Sequence, residues 1–544
     1  MVIQDFQKKT KEMIDALKGV CSSYGLGGDG NEFKIITQVF LYKFLNDKFA
    51  FEIKQLDEDI KNAKNYEKAI EALSEDDFEM LKLQLSADTA RLKPEHFISH
   101  LFEKQNDVEF AKLFDDTLRD VAITNNDIFS VKTDGGAKIT LFDRISEFVT
   151  DTSKRDAFCR ALINKLLEFS FEHIFDQKYD FYATIFEYLI KDYNKDSGGK
   201  YAEYYTPHAV AKIMAEILVP KEVQGKIQNV SCYDPSSGSG TLLMNIAHAI
   251  GETRCSIFSQ DISQKSSNLL RLNLVLNNLV HSIQNIIQGN TLLHPYHKDG
   301  NNLKKFNYIV SNPPFKMDFS DFRDELDTKE NKERFFAGIP NIPKKAKDKM
   351  AIYQLFLQHI IHSLGTNGKA AIVVPTGFVT ASGIDKKIRE KLISKKMLAG
   401  VVSMPSNIFA TTGTNVSILF IDKENKDNVV LIDASKLGKT VKEVKNQKTL
   451  LSENEEDKII DTFNKKEVID DFSAVVTYDE IKQKNYSFSA GQYFDVKIEY
   501  EDITVDEFEN RVKCFNKNLQ EMFSNSKIME DDIVKQLKKL KYET

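Results

Sequence analysis

The sequence predicts an α/β protein with a mostly parallel sheet, a helical region ahead of it and a helical tail behind. Three observations carry this reading. The β-prone run Ile227–Tyr233 leads into a glycine-rich turn, Asp234 to Gly240, and then into the apolar helical run Thr241–Ile250, which is the pattern of a βα crossover. Further β-prone runs, Cys255–Gln260, Ile286–Thr291 and Tyr308–Ser311, each end in polar or turn-forming residues, where the ligands of a parallel sheet collect. On either side, apolar residues recur at helical spacing instead.

Length and composition set the frame. The chain has 544 residues, enough for two or three domains, with 42% hydrophobic and 28% charged residues, as in an ordinary globular protein. Met1 to Glu12 is charged and lacks a signal-peptide core. No apolar run approaches the roughly 20 residues of a membrane span, so no membrane role is expected. Five scattered cysteines without a CxxC pair point to reduced thiols in a cytoplasmic setting and against a structural metal. The net charge of -7 means that any long nucleic acid would be held by local patches or with a partner's help.

Residues 1 to about 165 read as mostly helical. Phe33, Ile36, Phe40 and Phe44 share one face, and further helices are expected around Ile70 and Leu73, over Leu101–Phe114 and over Phe142–Val149. Asp134-Gly135-Gly136 reads as loop punctuation. A helix over Phe181–Leu189 runs into Ser197-Gly198-Gly199, and Thr206 with Pro207 suits the N-cap and first position of a helix over His208–Leu218.

Polar residues then mark the strand ends. The glycines after Asp234 let backbone approach a ligand, and the third glycine of a dinucleotide fingerprint is missing. An acid at that strand tip suits an ammonium group better than a pyrophosphate. Asp261 follows the glycine turn at about the 20-residue spacing at which an acid grips ribose hydroxyls. The run Tyr308 to Ser311 stops at Asn312-Pro313-Pro314-Phe315, where prolines forbid continuation. Asn312 and Pro313 offer carbonyl acceptors beside the flat face of Phe315, an arrangement suited to a planar base with an exocyclic amine; a strand-ending turn in which they serve only geometry is the bland alternative.

In this order the residues resemble an adenine-specific DNA methyltransferase of the class I, S-adenosyl-L-methionine-dependent fold, a Rossmann-like sheet. More narrowly, they resemble the methylation subunit of type I restriction–modification systems. Asp234 to Gly240 looks like the cofactor motif, Asn312 to Phe315 like the catalytic motif, and Glu203 to Pro207 lies ahead of both. Phe336 to Pro340, Met350 to Tyr353, Val373 to Gly377 and Leu398 to Gly413 are similar to that family's later segments.

The resemblance implies a helical domain over 1–165, a methyltransferase core over 166–490 and a partner-docking tail over 491–544. It implies S-adenosyl-L-methionine held by Tyr205, Thr206, Pro207, Asp234, Ser237, Gly238, Gly240, Asp261 and Asn290, catalysis by Asn312, Pro313, Pro314 and Phe315, and no metal. The family usually has Asp where this chain has Asn290, whose side-chain oxygen can still accept a hydrogen bond from the cofactor's adenine amine. Implied partners are duplex DNA, a specificity subunit, a second copy of the chain and a restriction subunit. The cluster Lys344, Lys345, Lys347 and Lys349 is a candidate phosphate contact or a solvated loop. The stripe Phe508, Val512, Phe515, Leu519 and Met522, continued by Ile533, Leu537 and Leu540, suits docking on partner helices or packing on its own domain. The rival readings are a stand-alone enzyme, an N-methyltransferase for protein glutamine or RNA, a non-catalytic scaffold of the same fold, and an NAD-binding oxidoreductase.

Overall fold

The computed structural model describes residues 2–28, 30–175, 206–409, 415–426, 428–443, 446–494 and 503–539. The expected helix over Phe181–Leu189 and the residues from Lys200 to Tyr205 lie outside them. Two compact units are present, Met1–Phe494 and Asp495–Thr544.

The first unit is built on an eleven-stranded sheet. In chain order its strands are β1 (Val131–Thr133), β2 (Lys138–Ile139), β3 (Val230–Asp234), β4 (Cys255–Asp261), β5 (Ile286–Gln288) and β6 (Phe306–Ser311). They continue with β7 (Leu364–Pro375), β8 (Leu398–Ser403), β9 (Val416–Asp422), β10 (Val429–Asp433) and β11 (Ser473–Val476). Their spatial order is β11-β10-β8-β9-β7-β6-β3-β4-β5-β1-β2. The run from β1 through β5, β4, β3 and β6 to β7 is parallel, and β9 enters antiparallel between β7 and β8.

Both faces of the central strands are buried, as a parallel sheet requires. On β6, Tyr308 and Val310 pack toward the helices α5 (His208–Leu218), α6 (Thr241–Ile250) and α7 (Gln264–Leu276). Ile309 between them points to the other face, onto α8 (Tyr353–Ser363) through Leu357 and Ile360. The two-residue period of the strand places alternate side chains in separate cores. Each fully buried Ile or Leu contributes roughly 1.5–3 kcal/mol.

The first stretch is helical, with α1 (Val2–Ser23), α2 (Gly30–Leu56), α3 (Phe110–Thr124) and α4 (Arg155–Leu167) as its longest members. Phe33, Ile36, Phe40 and Phe44 are buried on α2 as their spacing predicts. Two expectations are corrected. The run Leu101–Phe114 is split, because Glu109 sits at φ 61 and separates Ile98–Glu103 from α3. Phe142–Val149 holds only a short 3-10 turn, Ile145–Phe148. There the chain leaves β2 extended, and the backbone N–H of Asp143 is taken by Gln38 Oε1 at 2.7 Å.

The hairpin β1–β2, with Asp134-Gly135-Gly136 at its turn, was not anticipated. It extends the parallel sheet beside β5, pairing Lys132 with Ile287. The helical stretch and the core therefore share one compact unit. Arg271 of α7 staples the hairpin down: its terminal nitrogens donate to the carbonyls of Phe129, Ile139, Thr140 and Leu141 at 3.2–3.4 Å and to Asn268 Oδ1 at 3.0 Å.

In the second unit the described element is the 35-residue helix α9 (Val505–Lys539). Thr504 and Glu507 form a reciprocal cap at its start, the backbone N–H of Thr504 donating to Glu507 at 3.0 Å. No helix among the described residues is long and apolar enough to cross a membrane.

Removing the staple should be costly, because it strands buried carbonyls. Arg271→Met should lower the unfolding free energy by about 3 kcal/mol, measured by urea denaturation. An unchanged midpoint would show that the hairpin is held by β5 alone.

Candidate active site

The site forms at the C-terminal ends of β3, β4, β5 and β6. Asp234 ends β3 and is 1% exposed. Its Oδ1 accepts from the Ser236 backbone N–H and from the Ser311 hydroxyl, each at 2.9 Å. Ser311 is the last residue of β6, immediately before Asn312, and its hydroxyl also lies 2.9 Å from that of Ser236. One side chain thus fastens the turn after β6 to the acid of β3.

Asp261, at the end of β4, accepts from the backbone N–H of Gly238 and of Ser263, each at 2.9 Å. The glycine turn is thereby pulled toward the second acid. Gly240 has φ +86, a backbone conformation that side-chain-bearing residues rarely adopt, and a Cβ there would also crowd Leu270 Cδ1 of α7 at 2.3 Å. Ser237 Oγ is buried without a hydrogen-bond partner among the described residues.

Burial pushes the Asp234 carboxyl up to about 7, with the nearby charge of Asp261 adding to the effect and its hydrogen bonds opposing it. Burial raises Asp261 as well. A buried acid, a half-buried one and a buried hydroxyl without a partner among the described residues form a site that suits a cation and hydroxyl groups. These residues fit the ammonium and ribose ends of an amino-acid nucleoside.

Asn312 is half-buried, Pro313 buried, Pro314 exposed and Phe315 half-buried. The Asn312 Nδ2 donates to Thr206 Oγ1 at 3.3 Å. That leaves Oδ1 as an acceptor with no donor among the described residues. Thr206 is not the helix cap its position suggested: Pro207 occupies the cap position of α5, no side chain caps that helix, and the threonine hydroxyl serves Asn312 instead. Tyr205 lies outside the described residues. Phe315 meets Tyr353 edge-on, ring centroids 6.4 Å apart, and the Tyr353 hydroxyl donates to Asp385 at 2.8 Å.

Asn290 follows β5. Its Oδ1 already accepts from the backbone N–H of Leu292 at 3.0 Å and of Leu293 at 3.3 Å, so an incoming amine would share an occupied oxygen. Thr291 Oγ1 donates to the Pro235 carbonyl at 2.7 Å and ties this loop to the glycine turn.

A second layer had escaped the sequence reading. Arg334 is 3% exposed and donates to the carbonyls of Thr291 and Leu292, each at 2.7 Å, and to His359 Nδ1 at 3.0 Å. His359 Nε2 lies 3.2 Å from the hydroxyl of Tyr233, the neighbour of Asp234. Arg334 belongs to the segment that leaves the turn after β6 and returns where the Met317 N–H meets the Met350 carbonyl at 3.1 Å. It ties that segment to the loop after β5. In the sequence Arg334 is one charge among many in a polar run.

Comparison with known proteins places these observations. The family model described as N-6 DNA Methylase matches residues 177–502. The chain is 26% identical to the type I restriction enzyme MpnII methylase subunit of Mycoplasma pneumoniae, over 97% of each chain. It is 25% identical to the MjaVIII methylase subunit of Methanocaldococcus jannaschii, over 90% of this chain and 79% of that one. Among solved structures, it is similar to a type I restriction-modification methyltransferase subunit from Streptococcus thermophilus. That likeness has a TM-score of 0.68 at 21% identity, covers 90% of this chain and 99% of the other, and concerns the fold.

The raised Asp234 has a signed consequence for the ligand-free chain. Its folded pKa lies above its unfolded value, so ionisation disfavours the fold increasingly from about pH 4 to pH 7 and by a constant amount above. Asp234→Asn keeps an acceptor for Ser236 and Ser311 without the charge. It should stabilise the ligand-free chain by an amount that grows over that window to on the order of 4 kcal/mol. Thermal unfolding across pH checks this, and a pH-independent difference would place the cost elsewhere.

Proposed function

The chain belongs to the N-6 DNA methylase family, and from that premise we propose that it methylates the N6 amine of adenine in a specific duplex DNA site as the modification subunit of a type I restriction–modification complex. S-adenosyl-L-methionine is the methyl donor, and when bound it supplies an electrophilic methyl group on a sulfonium. Asp234 and Thr206 hold its methionine end, Gly238 and Gly240 admit it against the backbone, and Asp261 takes the ribose hydroxyls. Asn290 meets the adenine end, with its oxygen shared with its own turn.

The target adenine is stacked inside the duplex and is flipped out to reach the turn after β6. Its amine is a weak nucleophile, because the lone pair is delocalised into the ring. Asn312 Oδ1 and the Pro313 carbonyl accept its two hydrogens, which favours a pyramidal nitrogen with its lone pair aimed at the methyl group. This is positioning and preorganised electrostatics, with no strong base. Phe315 stacks on the base, a contact of about 1–3 kcal/mol. The observation that carries this reading is the Thr206–Asn312 bond: with Nδ2 engaged, the amide presents its oxygen to the substrate.

Target recognition is assigned to a separate specificity subunit, with a second copy of this chain and a restriction subunit completing the assembly in the cytoplasm. Support comes from the net charge of -7 and from α9. That helix exposes Phe508, Val512, Phe515, Leu519 and Met522, a larger apolar surface than a solvated helix carries. Lys344, Lys345, Lys347 and Lys349 are exposed on the segment that returns to the turn after β6 and suit phosphates beside the flipped base.

Asn312→Ala should nearly abolish methyl transfer while leaving cofactor affinity within a few-fold, since the contact acts mainly in the transition state. Tritium transfer to DNA and calorimetry test this together, and near wild-type transfer would refute the assigned role. Phe315→Ala should lower activity less.

Purified alone, the chain should bind cofactor but show little sequence-specific methylation until the specificity subunit is added. Polar substitutions at Phe515 and Leu519 should weaken that complex in pull-down without altering the thermal unfolding of the core. Full-rate methylation of one defined duplex sequence by the chain alone would instead favour a self-sufficient enzyme.

A further inference from the structure

A cavity of about 210 Å³ lies where α2, the chain leaving β2 and α7 meet. It is separate from the methyl-transfer site: none of Thr206, Asp234, Asp261, Asn290 or Asn312 lines it. Phe33, Leu41, Leu269 and Leu272 give it apolar walls. Among the described lining residues the charges are unequal, with Lys34, Lys265 and Arg271 against the single carboxylate of Asp143. That carboxylate is already engaged, by Lys34 at 2.8 Å and by Gln38 Nε2 at 2.9 Å.

Arg271 is the built part of the site. It is 3% exposed, and among the described residues its terminal nitrogens bond to backbone carbonyls and Asn268, with the Asp143 carboxylate as the nearby countercharge. Its Nε is buried without a hydrogen-bond partner among the described residues. An orphaned buried donor is costly even where the rest of its guanidinium is well bonded. At the mouth, the Lys265 ammonium lies 4.7 Å from the centre of the Phe33 ring, setting a positive charge beside a flat apolar face. Burial pulls Lys265 down to about 8 and Arg271 down to about 10, and an anion in the cavity would reverse both shifts.

We propose that this cavity binds a small organic anion, an acidic head group on a compact apolar body, at a site distinct from the cofactor site. The cations select the head group, and the leucine and phenylalanine walls select the body. Inorganic anions lack the second feature and neutral apolar molecules lack the first.

The test uses the full chain with its cofactor site saturated by S-adenosylhomocysteine and phenyl phosphate as the probe. Calorimetry should show one saturable site with a Kd below about 1 mM. Inorganic phosphate and benzyl alcohol should each bind at least about tenfold more weakly. Lys265→Gln should weaken phenyl phosphate by about tenfold, and Thr37→Trp, which places bulk in the cavity lining, should remove the binding. Circular dichroism and thermal unfolding would establish that both variants fold. Absence of saturable binding to the wild-type chain, or binding unchanged in both variants, overturns the proposal. Equal binding of inorganic phosphate overturns its apolar half.

Discussion

The hydrogen bond from the Ser311 hydroxyl to the Asp234 carboxyl is the contact on which the site depends. It joins the ends of two adjacent parallel strands, one carrying Asp234 and the other the turn that begins at Asn312. Parallel strands bring their C-terminal ends to the same edge of the sheet, but backbone pairing alone leaves each loop free to swing. β3 and β6 pair only through Cys232–Tyr308 and Tyr233–Ile309, short of either loop. Beyond that point Ser311, Ser236 and Thr291 take over, each bonding across to a neighbouring loop. The spacing between Asp234 and the turn after β6 is thus a property of strand register continued by three hydroxyls.

Buried arginines perform a related task elsewhere in the fold. Arg271, Arg334 and Arg389 are each almost fully buried, and each donates chiefly to backbone carbonyls of neighbouring loops and segments. A guanidinium has five donors in a fixed plane, so it can hold several loop carbonyls in one arrangement where shorter side chains reach only one. At Arg334 the arrangement ties the loop after β5 to the segment following the turn after β6.

Strand ends and glycine turns were legible in the sequence because their chemistry is local. Asn312 is followed by two prolines that no ladder accepts, and Asp234 by a run of Ser and Gly that only a tight turn uses. The roles of Arg334 and His359 were not legible, because their partners are carbonyls, which every residue owns, brought together by long-range packing. Thr206 misled for the opposite reason: Thr-Pro before an apolar run is a good cap signal, and a tertiary contact to Asn312 claimed the hydroxyl instead. Val131–Thr133 and Lys138–Ile139 are too short to stand out from their turn. Their strand character comes from the edge of β5 that receives them.

That hairpin also bears on how the chain is made. β1 leaves the ribosome early, yet the edge it completes belongs to β5, far down the chain, and Arg271, which clamps it, arrives only shortly before. Until then the hairpin presents unpaired backbone groups, the kind of edge that recruits other chains. The helices of the first stretch can collapse on local contacts, but the sheet closes only after a long loop has been brought round, which slows folding. The same feature that knits helical region and core into one body makes the nascent protein dependent on protection during synthesis.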